Sequence, residues 1–493
     1  MPRNGPVLRA LWLLILGSGA LRLIFAAALG LGVDESYVVA AGRTLRLGYF
    51  DHPPAVWWLS TVAATLAGSA APIVVRLPFI LLFAFSTWLM YRLGARLFSP
   101  RAGLWAAICL NLSPLFGVVF GAFVLPDGPL DAALLAAALS LACGLEAVGP
   151  AALAWWLLAG LALGLALFSK YSAILVLAGA FLYLCTTPRH RKWLASPAPW
   201  LAVLVAFLVF CPVLIWNFHH RWISFAFQGN RAGGLGFHPL APFVVFGGEA
   251  LFLLPWVWLP LVLSGVAALR RGPDEWRGWL LLCLGIPAIL LFSVIALWSR
   301  GRVLYHWAAP GYLMLFPLLG ASIDRRLTAG VRFVRPWCLA TAGFVLLGAT
   351  LVGLDARFDI LAPFLAPGRD PALQIIDWRS LRRELAQRDL LDRPHLVIGT
   401  VRWSDAAKID YALGGSPPVV VLGSEPHEYG LIRPLSRYRG DDVLVIAPNV
   451  TPERMKADYG SLFARIEALP PVTVEHAGHE ALSAPLYLGF GLR

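Results

Sequence analysis

The chain has 493 residues, of which 59% are hydrophobic and only 14% charged, with a mean hydropathy of +0.71 and a net charge of +12. Ordinary soluble domains carry about 25% charged residues, so this composition excludes a soluble globular protein and marks an integral membrane protein. The basic excess does not point to nucleic acid, because Arg and Lys cluster in short loops between apolar runs, where they set membrane orientation.

The first apolar run, from about Val7 to Leu31, is too long for the core of a cleaved signal peptide and reads as a retained span. Directly behind it comes GVDESYVVAAGRTLRLGYFDHPPAVWW, which opens a first outward loop of about residues 32–76. Further runs able to cross about 30 Å of hydrocarbon lie near 77–95, 102–121, 129–147, 152–168, 171–187, 198–216, 242–268, 279–298, 307–321 and 336–353. These predict about eleven transmembrane helices. The turn at Glu146 lacks a basic residue and the break at Ser169-Lys170-Tyr171 is tight, which leaves the count open by two. With a cytoplasmic N-terminus, alternate loops hold Arg92, Arg96 and Arg101, then Arg189, Arg191 and Lys192, then Arg270, Arg271 and Arg277, then Arg325, Arg326, Arg332 and Arg335. That is the charge bias of cytoplasmic loops. All six cysteines fall inside apolar runs and act as small hydrophobes.

The composition changes after about Asp355. DWRSLRRELAQRDLLDRP reads as an amphipathic helix, and HLVIGT, PPVVVLG and DDVLVIAP read as short strands between turn residues. The predicted organisation is a membrane domain over 1–354 and a small extracytoplasmic α/β domain over 355–493.

The outward loops gather unusual chemistry: Asp34, Glu35, Asp51 and His52; Asp127 in LPDGP; Lys170 in FSKYS; His219, His220, Arg221 and Gln228 in NFHHRWISFAFQGN; and Arg300, Arg302, Tyr305 and His306 in SRGRVLYHW. Ionisable groups near a bilayer are costly and normally face a cavity with a function. Cations suit a phosphate, and a carboxylate suits the proton of an attacking hydroxyl or amine. Sugar transfer from a lipid phosphate needs both. No phosphate-cradling glycine loop is present, so the donor should arrive already activated. The plainer alternatives are helix capping for the acidic pair, snorkelling for Lys170, interface anchoring for the arginines and a polar loop for the two histidines.

The ordered fragments DESYVVAAGRTLRLGYFDHPP, VRLPFILL, LSPLFG with PDGPL, GLALGLALFSKYSAIL, PVLIWNFHHRWISFAFQ and YHWAAPGYL, over about residues 8–321, resemble bacterial glycosyltransferase family 39. This is the dolichyl-phosphate-mannose-protein mannosyltransferase-like group, whose relatives include the lipid A aminoarabinose transferase. VRWSDAAKIDYALGG in the tail also resembles the soluble domain of some bacterial members. The resemblance implies a GT-C fold, a bacterial inner-membrane location and a polyprenyl-phosphate-linked sugar as donor. It implies Asp34 as catalytic base with Glu35 in support. It further implies donor or phosphate contacts at Tyr49, Asp51 and His52, where His52 replaces a family lysine. Lys170, Arg221, Arg300, Arg302, Tyr305 and His306 complete the expected substrate set. No cofactor is obligatory, and a divalent metal is admitted as an option, held by Asp51 with His219 or His220. The acceptor is left open among lipid, glycan and protein, and the competing function is a transporter or flippase of lipid-linked sugars, which the spans alone would allow.

Overall fold

A computed structural model describes residues 5–234, 236–299, 303–361, 364, 374–393, 395–448 and 450–493. In chain order the helices are α1 (Gly5–Ala28), α2 (Val33–Ala41), α3 (Ala55–Ala67), α4 (Pro72–Leu97), α5 (Pro100–Asn111), α6 (Asp127–Gly144), α7 (Gly149–Ser169), α8 (Ile174–Thr186), α9 (Pro197–His219), α10 (Ile223–Ala232), α11 (Ala241–Leu253), α12 (Pro255–Arg271), α13 (Trp276–Ile295), α14 (Ala309–Leu313), α15 (Phe316–Thr328) and α16 (Val334–Phe358).

Among the described residues, seven helices are individually long and apolar enough to cross a membrane: α1, α4, α6, α7, α9, α13 and α16. Two bent pairs raise the number to nine if each is one span. One is α5 with the π-helical Pro114–Phe120, bent by 65°, and the other is α11 with α12, bent by 112°. The expectation of about eleven is corrected at two places. The run at 171–187 becomes a helix from Tyr171 to Thr186, too short to cross by itself. The run at 307–321 breaks at Met314 and Leu315, between α14 and α15, with Pro317 in the first turn of α15.

Sequence chemistry sets the helix ends. Ser99 caps α5 by accepting from the Ala102 amide, Ser196 caps α9 by accepting from Ala198, and Glu275 receives the Gly278 amide at the start of α13. Helices close on one another through small residues, as expected where lipid provides no hydrophobic contrast. A Cβ at Gly160 of α7 would lie 2.2 Å from the Ala202 carbonyl oxygen of α9. Arg22 is buried on α1, where it donates to the Gly117 carbonyl and, at 3.1 Å, to Asn111 Oδ1, holding the bend after α5.

Two units emerge from the packing. The first runs up to Ile24 and then takes Arg46–Val56 and Leu77–Leu347. The second takes Phe25–Leu45, Trp57–Arg76 and Gly348–Arg493, so it includes much of the first loop as well as the tail.

The second unit contains a five-stranded sheet in the order β2-β1-β3-β5-β4, with β1 (Val397–Thr400), β2 (Val419–Val421), β3 (Val443–Ile446), β4 (Phe463–His476) and β5 (His479–Leu492). β1 pairs in parallel with β2 and β3, while β5 runs antiparallel to β3 and β4. The first three strands are buried at every residue, the pattern of parallel strands covered on both faces, and they fall on the three predicted segments. Helices α17 (Arg379–Gln387), α18 (Trp403–Leu413), α19 (Glu428–Ile432) and α20 (Pro452–Tyr459) complete this α/β unit.

Candidate active site

The first unit collects its charged groups at the start of α6, the end of α7 and the loop before α3. Lys170 follows α7 directly and extends Nζ to Asp127 Oδ1 at 2.8 Å. Both residues are buried, at 8% and 3% exposure. Asp131 lies one turn further along α6, is 2% exposed, and has no hydrogen-bond partner for either carboxylate oxygen. An intramembrane carboxyl of this kind marks a functional pathway by default.

The loop carrying Tyr49, Asp51 and His52 is fastened by one face of α10. Residues 224, 227, 228 and 231 share that face because a helix repeats at three and four residues. Ser224 Oγ donates to the Tyr49 carbonyl at 2.9 Å, Gln228 Nε2 donates to the Asp51 carbonyl at 2.7 Å, and the rings of Phe227 and Phe50 sit 4.8 Å apart. Arg231 completes the face, with its guanidinium 4.6 Å from the Trp307 ring centroid and within electrostatic reach of Asp51.

His52 lies among Asp51, Lys170, Asp127 and Arg231, and its Nδ1 is sealed from solvent without a hydrogen-bond partner. Burial pushes its pKa down to about 4. Asp51 and Asp127 pull the other way, while Lys170 and Arg231 add to the lowering. His306 feels Lys170, Asp127 and Arg231 as well, and burial again lowers its pKa to about 4. With both pKa values lowered to about 4, neither imidazole carries charge at neutral pH, and the cationic side chains around His52 are Lys170 and Arg231.

Other expected residues take different places. Tyr49 is fully buried, and its hydroxyl accepts from the Arg46 amide at 3.1 Å. Tyr305 packs against Gly248 and stands edge-on to Phe252. Arg221 is exposed at the turn after α9, with positive φ. Arg300 and Arg302 lie outside the described residues. His219 is exposed against Phe218, whereas His220 stacks on Trp216 at 3.9 Å and its Nδ1 meets the Trp216 carbonyl at 2.7 Å. Among the described residues no group of three or more His, Cys, Asp or Glu side chains could hold a metal ion. Asp51, His219 and His220 thus do not form the metal set the sequence suggested.

The acidic pair belongs to the second unit. Asp34 is exposed in the first turn of α2. Glu35 is 2% exposed, accepts the Gly32 amide at 2.7 Å, and pairs with the fully buried Arg76, whose Nε donates at 2.8 Å. Arg76 also takes the carbonyls of Ala26, Leu29 and Gly30. Adjacent acids thus divide: Glu35 secures the turn into α2, and Asp34 faces solvent. Arg231 and Asp131 were missed from sequence. Arg231 stands near the glycines of QGNRAGG and looks like loop punctuation, and Asp131 sits inside a span.

The first unit is thus a helical bundle with a buried cation-carboxylate cluster, and the second carries a mixed five-stranded sheet, an architecture shared with solved membrane proteins of the GT-C fold. Residues 51–216 match the family model described as dolichyl-phosphate-mannose-protein mannosyltransferase, a stretch that holds Asp51, His52, Asp127 and Lys170. The chain is 27% identical over 293 residues to the lipid A galacturonosyltransferase RgtD of Rhizobium johnstonii, covering 57% of this chain and 58% of that protein, less than two thirds of the relative. It is 26% identical over 375 residues to the lipopolysaccharide core galacturonosyltransferase RgtA of the same organism, covering 68% and 70%. In fold it is similar to ArnT from Cupriavidus metallidurans bound to undecaprenyl phosphate, with a TM-score of 0.66, 16% identity, and coverage of 99% of this chain and 98% of that one. Apo ArnT gives 0.65, 15%, 96% and 97%. The likeness to ArnT bears out the expected GT-C fold, and the family-model match over residues 51–216 agrees with the resemblance read from the sequence.

Proposed function

We propose that the protein transfers a sugar from a polyprenyl phosphate to an acceptor at the extracytoplasmic face of the bacterial inner membrane, with the N-terminus in the cytoplasm. The observation that carries this reading is the buried Lys170–Asp127 pair with Arg231 nearby. Lys170 uses one of its N–H groups on Asp127, which leaves two to meet a phosphate oxygen. Arg231 supplies a second cation. Neutral His52 and His306 offer ring nitrogens for polar contacts without adding charge.

In the reaction, the acceptor oxygen or nitrogen forms a bond to the anomeric carbon, and the bond from that carbon to the phosphate oxygen breaks. The departing polyprenyl phosphate keeps the electron pair, and its growing charge is met by Lys170 and Arg231. The proton of the acceptor goes to Asp34, the base implied by the family resemblance. The named activities of RgtD and RgtA favour a galacturonosyl group and a lipopolysaccharide acceptor. The ArnT complex favours an undecaprenyl carrier. The competing transporter reading predicts movement of intact lipid-linked sugar without bond cleavage.

The test is a purified-protein assay with undecaprenyl-phosphate galacturonate and delipidated or intact lipopolysaccharide core as acceptors. Transfer to acceptor with release of undecaprenyl phosphate supports the proposal. Translocation of unbroken donor in proteoliposomes, with no cleavage, defeats it.

A further inference from the structure

The motif VRWSDAAKIDYALGG is left unused by the transfer chemistry, yet its helix α18 grips α2 at both ends. Lys408 is 3% exposed, and its ammonium donates to the carbonyl of Leu31, in the turn before α2, and to that of Ile376 at 3.0 Å. Two residues on, the fully buried Asp410 receives Arg43 at 2.8 Å, just beyond the end of α2. Arg43 also caps the Ala40 carbonyl at 3.0 Å, and the other Asp410 oxygen holds Arg433 at 2.9 Å. Arg76 takes the carbonyls of Leu29 and Gly30 in the same turn and that of Ala26 at the end of α1. Burying an ammonium is costly unless its protons are bonded, so a residue serving packing alone would be better as Leu or Met.

We propose that Lys408, assisted by Asp410, is a positioning residue for Asp34: the α18 clamp fixes the turn and first residues of α2, and with them the carboxylate that takes the acceptor proton. The inference rests on the reading of Asp34 as base. It gives the tail motif a catalytic purpose without direct contact with substrate.

The clamp has a pH signature. The groups facing Lys408 are Glu35 from α2, Arg76 from α4 and Asp377 ahead of α17, with Asp405 and Asp410 on its own helix. Burial lowers its pKa to about 8, against Glu35 and Asp377, which raise it, while Arg76 lowers it further. In the unfolded chain lysine titrates near 10.4. Between the two values the unfolded state binds more protons, so this group makes folding more favourable as pH rises. The three-donor ammonium is lost over the same range, so turnover falls while stability does not. A purely structural role would move the two together.

The experiment measures turnover of the full-length protein with a polyprenyl-phosphate sugar, binding of undecaprenyl phosphate, and thermal unfolding from pH 6 to 10. Lys408→Met should lower kcat about 10²-fold, the scale of a small misplacement of a catalytic group, with undecaprenyl phosphate binding unchanged. Lys408→Arg should recover most of the rate and move the alkaline fall of the wild type, near pH 8, upward. In an Asp34→Asn background Lys408→Met should add little, as for residues that act as one unit. Normal kcat in Lys408→Met beside an inactive Asp34→Asn overturns the clamp alone, whereas normal turnover in Asp34→Asn overturns the base reading beneath it. If Lys408→Met does not fold, an alkaline fall at the same pH in the wild type and Lys408→Arg overturns the proposal.

Discussion

His52 stands where the resembling family has a lysine, and burial lowers its pKa to about 4. A cationic role would make transfer fall as pH rises through about 6.5, the ordinary histidine value. We expect no such fall: His52→Gln, uncharged at all pH, should keep the wild-type pH profile between 5.5 and 7.5, and a flattened profile in the variant would restore the cationic reading. The stability sign follows from the same shift. Because the folded pKa lies below the unfolded one, this histidine lowers stability as pH falls from about 6.5 towards 4. The cation burden passes to Lys170, and Lys170→Met should weaken undecaprenyl phosphate binding about tenfold or more, the loss of a charge-assisted hydrogen bond. Unchanged binding by titration would point to Arg231 as the sole clamp. Lys170 and Asp127 were legible in sequence because each interrupts apolar surroundings. Arg231 was not, since only its place on the α10 face, seven residues after Ser224, brings it to the Asp51 loop.

At the scale of elements, the length of the apolar runs revealed most of the helices, and short β-rich runs between turn residues revealed the three parallel strands. The long β4–β5 hairpin was not foreseen, because Pro470 and Pro471 interrupt its first strand at a register shift and Gly489 and Gly491 dilute its second. Its tight turn, Ala477-Gly478, has positive φ at both residues, a hairpin geometry without the usual Asn-Gly signal. The helix count missed where breaks depend on packing, as between α14 and α15. Close packing itself is testable. Gly160→Leu should destabilise the α7–α9 contact by about 1–3 kcal/mol, the cost of overpacking, seen as a lower unfolding temperature in detergent. Gly343→Ala on α16, where an added Cβ meets nothing within 4 Å, should be neutral or slightly stabilising. Equal effects at the two positions would contradict the packing argument.

At the scale of the whole molecule, the proposed orientation in the membrane rests on the loop charges. A periplasm-active reporter fused after Asp355 should be active, and one in the Arg325-Arg326 loop silent, with the reverse pattern overturning the proposed topology. Sequence could delimit an apolar domain and a tail, but not the joining of residues 25–45 and 57–76 to that tail, which depends on ion pairs such as that of Arg43 with the buried Asp410 across distant segments. The proposed transfer chemistry requires Asp34. The most direct measurement compares wild type and Asp34→Asn, purified in parallel, for sugar transfer from a polyprenyl-phosphate donor and for undecaprenyl phosphate binding. We predict transfer by the wild type, and in Asp34→Asn a loss of about 10²–10⁴-fold, the usual worth of a positioned general base, with lipid phosphate binding intact. Near-normal transfer by Asp34→Asn, or donor movement without cleavage by the wild type, would contradict it.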